Sequence, residues 1–410
     1  MDTRTDVLVI GGGPAGLTLA LLLLRSGVRV AVMEKAAGLD REYRGEILQP
    51  GGQALLHDLG VLDGARERGG YEHDRFLLEE RGRVLINGDY RRLPGPFNCL
   101  LSIPQRHVLE ELLAACSGHD GFEYLPATRC STLIEDSSRQ VHGVIGRGPG
   151  GDRTVYARWI VAADGRYSKV RQLAGIPYDR LEAFEQDVLW FKLPAHDDRP
   201  RNVRIFRAGG NPALSYAAHP GMVQIGWTLP HKSYQELAAS GLDRIKERLG
   251  AAVPDRAEQI AAEITSFKDL SLLDVFSGTA RQWVRPGLLL LGDSAHTHGP
   301  IGAQGINLAI QDAVAAHPAL LAALDSGDDG AEPLERYAAE RRRDVDRILR
   351  IQHLQAKMML STQGIASVVR PKAAAVVSRT PVYRKVLHQL AFGNRSIAVR
   401  DDLYRAPATA

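Results

Sequence analysis

The chain has 410 residues, 44% of them hydrophobic, and 51 basic against 48 acidic side chains give a formal net charge of +3. That length holds two or three domains' worth of core, and so even a charge balance excludes nucleic acid as the expected partner. Three cysteines, Cys99, Cys116 and Cys130, show neither C-x-x-C pairing nor metal-ligand spacing, which predicts buried, inert thiols in a reducing cytoplasm.

The first element is Val7-Leu8-Val9-Ile10, a short β-branched run that reads as a parallel strand buried on both faces. Gly11, Gly13 and Gly16 follow in G-x-G-x-x-G spacing, around Pro14 and Ala15, and Leu17 to Leu24 carries a helical period. Val28 to Met33 reads as a second strand, with Glu34 and Lys35 at its carboxyl end. Each glycine has a job in a dinucleotide site. Gly11 permits the tight turn, Gly13 lets a pyrophosphate approach the backbone, and Gly16 lets the helix close on the strand. The free N–H groups and dipole of the helix then face the phosphates, and Glu34 is spaced to accept from a ribose. The apolar run from Val7 to Leu24 is broken by Gly11, Gly12, Gly13, Pro14 and Gly16 and lacks the flanks of a signal peptide. No other segment reads as long and apolar enough to cross a bilayer.

From Phe76 to Pro94, and again from Phe184 to Phe267, short alternating runs such as Trp190 to Leu193, Val203 to Phe206 and Met222 to Trp227 predict a mostly antiparallel sheet. Tyr234 to Leu249 and Arg256 to Ile264 read as helices packed on it. Between these stretches Trp159 to Arg171 reads WIVAADGRYSKVR, an apolar strand ending in Asp164-Gly165. Leu288 to Ala313 repeats that form: a strand, then Gly292-Asp293, a Gly/Pro-rich loop and a helix from about Gly302. His296 and His298 find no third ligand at suitable spacing, so no metal is expected. From Leu334 the chain reads as helical and basic, with Arg341, Arg342, Arg343, Arg347 and Arg350. Apolar pieces follow at Met358 to Val369 and Ala373 to Val377, punctuated by Pro371 and Pro381. They are too short to span and predict a helical cap over the core.

These three motifs together resemble the class A, p-hydroxybenzoate hydroxylase-like FAD monooxygenases, over roughly residues 1 to 340. The resemblance implies an α/β fold: a Rossmann-like FAD-binding domain with a parallel sheet (1–75, 95–180 and 268–340), interrupted by a mostly antiparallel substrate domain (76–94 and 181–267). C-terminal helices (341–410) would complete it. It implies that Gly11, Gly13, Pro14, Ala15, Gly16, Glu34 and Lys35 hold the ADP half of FAD. Arg44 would lie near the adenosine end, Arg106 near the ribityl-phosphate, and Asp164 and Gly165 beside the pyrophosphates of FAD and NAD(P)H. Gly292 and Asp293 would bind the ribityl chain. Pro300 would lie at the reactive face of the ring, and Gly302, Gly305, Ile306 and Asn307 beneath its pyrimidine edge. Pro300 and Gly302 are the expected catalytic positions, since a proline carbonyl with no neighbouring donor is thought to steer a flavin hydroperoxide in relatives. A helix beginning there would aim its N–H groups at the charged edge of reduced flavin.

The reaction so implied is insertion of one atom of O2 into a hydrophobic aromatic or alkene, with NADPH or NADH as transient reductant, in cytoplasmic secondary metabolism. His73, Trp190, Tyr216, His219 and Trp227 are the substrate-side candidates, and His73, Tyr216 and His219 the candidate bases. The alternative on the same scaffold is a geranylgeranyl reductase-like enzyme that inserts no oxygen. A halogenase is disfavoured by the lack of a W-x-W-x-I-P run, and a scaffold kept for binding alone by the intact Asp164, Asp293 and Pro300.

Overall fold

The structure, a computed structural model, describes residues 2–39, 46–181, 186–195, 200–208, 210–326, 330–360, 376, 378, 380–393 and 397–405, with side chains of the 330–360 stretch described to 356. Arg44, Pro371 and most of the two apolar pieces beyond Met358 lie outside the described residues.

The β-branched opening strand extends over Asp2–Ile10 and sits at the centre of a parallel sheet. It pairs on one side with Val30–Met33 and on the other with Gly151–Ala162, which in turn pairs in parallel with Leu288–Leu290. Val7, Leu8 and Val9 are wholly buried, as a parallel sheet with both faces covered requires. The helix Pro14–Arg25 packs on it, and Gly146 of the antiparallel strand Val141–Gly148 lies against Met33. The helix Pro14–Arg25 is apolar nearly all round and is packed between the sheet and the helices Gln105–Ser117 and Gln304–Asp325. The last of these, counted from Ile301, has the length and composition of a membrane span, contrary to the sequence expectation. It is a core helix: 67% of its apolar stretch is buried.

A second, seven-stranded sheet forms a roof. Its order is Ser271–Leu273, Gln186–Pro194, Met222–Pro230, Ala213–Ala218, Asn202–Arg207, Arg75–Glu80 and Arg83–Asp89. All its pairs are antiparallel except Asn202–Arg207 with Arg75–Glu80. Side chains alternate across it. Leu189, Phe191, Ile225 and Trp227 pack against the outer helices, whereas Val188 and Trp190 belong to an inner cluster with Ile301 and Leu387. The helix expected over Tyr234 to Leu249 is two, Tyr234–Ala239 and Leu242–Ala252. Gly241 separates them at φ +95°, a conformation that glycine adopts freely and a helix cannot.

The long helix Ala331–Leu360 runs unbroken across position 341, where a boundary was expected, because Arg341 is bonded into the core. The chain then contributes the helix Pro381–Phe392, and residues 397–405 return to the first helix, where Arg405 N–H donates to Arg25 O at 2.9 Å. Cys99, Cys116 and Cys130 are buried and unpaired with one another. Burial pushes their thiols up to about 11, 12 and 12.

Candidate active site

Ile10, Met33, Ala162 and Leu290 are aligned by the parallel register, so the loops after four strands emerge at one edge of the sheet. That edge, outside the carboxyl ends of the strands, is where an open α/β sheet forms a crevice. It gathers Gly11 to Gly16, Glu34, Asp164-Gly165 and Gly292-Asp293. The helix Pro14–Arg25 starts without a side-chain cap, leaving first-turn N–H groups to face the crevice. A Cβ at Gly11, where φ is +113°, would stand 2.3 Å from Ala163 O, and one at Gly16 only 2.0 Å from Gly11 O. Among the described residues, its chain neighbours apart, nothing lies within 4 Å of a Cβ built on Gly13. That vacant, N–H-lined backbone is the cradle a pyrophosphate needs, so the residues present fit FAD.

Glu34 is buried, and its carboxylate accepts from Gly12 N–H at 2.7 Å and Ala36 N–H at 2.8 Å. These bonds fix the carboxylate in the glycine turn and leave lone pairs for ribose hydroxyls. Lys35 is exposed. Asp164 accepts from Val170 N–H at 3.0 Å through one oxygen, while the other is buried without a partner. Such an orphan calls for a donor from outside the chain. Asp293 faces the guanidinium of Arg166 at 3.8 Å, and burial nevertheless raises its carboxyl above the usual range. Arg106 opens the helix Gln105–Ser117 half-exposed, paired with Glu110 at 3.3 Å.

The loop Gly299 to Ala303 carries the expected ring-facing positions, and four amide side chains hold it. Gln49 Nε2 donates to Gly302 O at 2.8 Å, Gln304 Nε2 to Gly302 O at 2.9 Å, and Gln352 Nε2 to Ile301 O at 2.7 Å. Asn307 accepts from Gln49 N–H at 2.9 Å and donates to Ala303 O at 2.6 Å, tying the loop to the strand Ile47–Leu48. Gly302 has φ +75° and Ala303 φ +50°, so the helix begins at Gln304 and not at Gly302. The expectation of a Pro300 carbonyl without a nearby donor is corrected. The tight turn Ile301–Ala303 closes on it, with Ala303 N–H donating to Pro300 O at 3.1 Å. One lone pair of that carbonyl remains. Among the described residues, and apart from the adjoining backbone, no atom lies within 4 Å of a Cβ built on Gly305 or Gly165, so the backbone there is open for a flat group to rest on, with Ile306 half-buried beside it.

Beneath this loop runs a buried polar chain that the sequence did not disclose. His298 Nε2 lies 2.6 Å from His296 Nδ1, His296 Nε2 lies 2.6 Å from Asp312, and Arg341 Nε donates to Asp312 at 2.6 Å. Burial opposes ionisation of Asp312, but the charges of His296 and Arg341 overcome it and hold the carboxyl down at about 2. Burial and the neighbouring His296 keep His298 well below its ordinary range, hence neutral. The histidines are thus structural partners of a core ion pair. The one candidate metal cluster among the described residues lies elsewhere: Asp187, His231 and Asp274 bring ligand atoms within 4.8 Å of one another. Asp187 already accepts from His231, Lys232 N–H and Val275 N–H, and Asp274 from Tyr167 and Arg180.

Between the loop and the roof sheet lies a cavity enclosing about 980 Å³ of space not filled by atoms, its open mouth included. Pro300 to Ala303 form one wall. The inner face of the roof forms another, through Val188, Trp190, Val203, Leu214, Gly226 and Thr228, and Tyr383, Leu387 and Leu390 of the C-terminal helix a third. Trp190 is the one expected substrate residue among the lining. Tyr216 is fully buried behind it, edge-on at 6.4 Å. Three expectations are corrected. Trp227 is on the outer face of the roof, because Trp190 pairs with Gly226 in the register and so leaves Trp227 pointing at the helices. His73 is sealed against Ser102 and Ala217 O, and burial lowers it to about 4. His219 packs against His107 and Tyr71 at the sheet's far corner and does not line the cavity. Sequence reasoning missed Gln49 and Tyr90, and expected a C-terminal helical cap without placing it in the cavity wall; period-two alternation could have found Val188 and Thr228, but nothing local could have put the returning helix against the cavity.

A family model described as FAD binding domain matches residues 4–352. The chain is 60% identical over 408 residues to the 6-methylpretetramide 4-monooxygenase of Streptomyces rimosus, covering 99% of this chain and 97% of that protein. It is 26% identical to the para-nitrophenol 4-monooxygenase of Pseudomonas sp. (strain WBC-3), over 84% of each. Among solved structures, p-nitrophenol 4-monooxygenase PnpA from Pseudomonas putida DLL-E4 superposes with a TM-score of 0.80 at 21% identity, over 96% of this chain and 100% of that one. The cradle at the sheet edge, the loop against the roofed cavity and these likenesses agree: the chain belongs to the class A, p-hydroxybenzoate hydroxylase-like family of FAD-dependent monooxygenases.

Proposed function

We propose that this enzyme hydroxylates an aromatic of the 6-methylpretetramide kind at its 4-position, in the cytoplasm, as a step of secondary metabolism. The enzyme class itself is shown: an FAD-dependent, NAD(P)H-consuming monooxygenase acting on a hydrophobic small molecule. The observation that carries the finer reading is 60% identity along the full length of a relative with that activity. An apolar cavity against the Pro300–Ala303 loop supports it, lined by few polar groups as small-molecule sites are.

Bound FAD supplies the activation of O2 and the electrons received from NAD(P)H. The chain's own residues do the rest. In this reading Gly11 to Gly16, Glu34, Asp164-Gly165 and Gly292-Asp293 hold the dinucleotide, with Arg106 and Lys35 at the rim. Pro300, Gly302, Gly305, Ile306 and Asn307 seat the ring, and the amide clamps fix the loop so that the reacting atoms meet in one geometry. Ile47, Leu100, Val188, Trp190 and Leu390 exclude water, which protects a reactive oxygen donor from wasteful breakdown.

The test is to incubate the FAD-loaded enzyme with 6-methylpretetramide, NADPH and O2 and to locate the new hydroxyl by NMR. Hydroxylation at the 4-position is expected. NADPH consumption that yields hydrogen peroxide and unchanged 6-methylpretetramide would refute the proposed substrate.

A further inference from the structure

Hydroxylation of a phenol is usually helped by removing its proton, yet no described residue that lines the cavity is a carboxylate, histidine, lysine or arginine. Its titratable groups are Tyr90 and Tyr383. Burial raises both phenols, Tyr383 to about 12, so they stay protonated and serve as donors rather than bases. Behind the wall stand His73, held neutral by burial, the phenol of Tyr216, and Glu46 paired with Lys192 at 3.5 Å. None of these lines the cavity. A phenolate brought inside would meet no cation among the described lining residues, and desolvating such an anion is costly.

The lining does hold polar atoms that lack partners. Trp190 is 3% exposed and Gln49 2%, and Trp190 Nε1, Gln49 Oε1 and Gln355 Oε1 are all buried without a hydrogen bond. The orientation of Gln49 is fixed, because its Nε2 must face the Gly302 carbonyl, an acceptor. That leaves Oε1 as the free end. Trp190 is also fixed: its ring lies over Gly226, where a Cβ would approach it to 2.8 Å. Three orphaned buried atoms on residues that line one cavity, one donor and two acceptors, match a ligand with the complementary pattern.

We propose that the cavity binds its substrate as a neutral, polyhydroxylated aromatic carbonyl compound, with Trp190 Nε1 donating to the carbonyl oxygen and Gln49 and Gln355 accepting from hydroxyls. This rests on the monooxygenase reading and deepens it. The ring carbon gains one atom of O2 and loses its hydrogen as a proton, and the other oxygen atom leaves as water with the two electrons of NAD(P)H. The ring's electron density comes from several hydroxyls that the protein does not deprotonate. The hydroxyl proton stays on oxygen through binding.

The experiment titrates FAD-loaded enzyme with 2,6-dihydroxyanthraquinone and with its isostere 2,6-dimethylanthraquinone, following the flavin spectrum. Titrations run below and above the pH at which the dihydroxy ligand ionises in water. The dihydroxy ligand is expected to bind at least tenfold tighter than the dimethyl one, and to weaken as it ionises. Trp190→Phe and Gln355→Met should each weaken binding of the dihydroxy ligand by roughly three- to tenfold more than that of the dimethyl one, the effect of one lost hydrogen bond, with FAD content unchanged. Equal affinity for the two ligands, tighter binding of the anion, no binding of either, or variants that bind like the wild type would overturn the proposal. Oxygen transfer is scored separately by product mass. Failure there with the binding pattern intact would refute the monooxygenase reading and leave the neutral-ligand site standing.

Discussion

Two separable duties are assigned to single residues in the proposed function, holding FAD and holding the loop on which it would lie. Asp293 is proposed for the first. Its carboxylate faces Arg166 at 3.8 Å with burial pressing against its charge, an arrangement suited to hydrogen-bond donors arriving with a ligand. Asp293→Ala is expected to cut FAD affinity by at least tenfold, read as flavin lost on gel filtration; full retention would remove Asp293 from the site. Asp312 belongs to the second. Asp312→Asn strands Arg341 without a counter-charge, at a cost of about 3–5 kcal/mol, seen as a lowered Tm at neutral pH. Asp312 is depressed from its ordinary 3.8 to about 2. Its contribution is therefore present above pH 4 and lost as pH falls toward 2. The gap between wild type and variant should narrow over that window.

Elements were legible where the signal is local. The strand at Val7, the glycine turn and the helix after it announce themselves within a few residues, and the structure keeps all three. A Cβ at Gly16 has no room beside Gly11 O, so Gly16→Ala should push the helix off the strand, lowering both FAD content and Tm. Normal values of both would contradict the close packing. What the sequence could not reveal is register and return. Trp190 and Trp227 look equivalent in the text, yet pairing of Trp190 with Gly226 puts them on opposite faces, since a shift of one residue flips every side chain. His296 and His298 look like a metal pair, but their partners Asp312 and Arg341 come from helices further along the chain. The expected bases failed for a related reason: His73 has the right chemistry and is sealed in the core.

On the scale of the whole molecule, a crevice at one sheet edge and a roof of seven strands enclose a cavity that the C-terminal helix completes. Gln304 Nε2 donates to Leu390 O at 2.9 Å, so the cavity wall is tied to the first turn of the helix Gln304–Asp325. Leu387→Ala with Leu390→Ala should open this wall to water. FAD binding should persist, while a larger share of NAD(P)H oxidation should end as hydrogen peroxide, measured as peroxide per NAD(P)H consumed. An unchanged ratio would show that the helix does not seal the site. The central claim, that the enclosed site transfers one atom of O2 to a bound aromatic, is tested most directly with 18O2. In a reaction of FAD-loaded enzyme, NADPH and 6-methylpretetramide, mass spectrometry should find one labelled oxygen in each product molecule. An oxidised product that carries only oxygen from water, or one reduced or dehydrogenated with no oxygen gained, would contradict it.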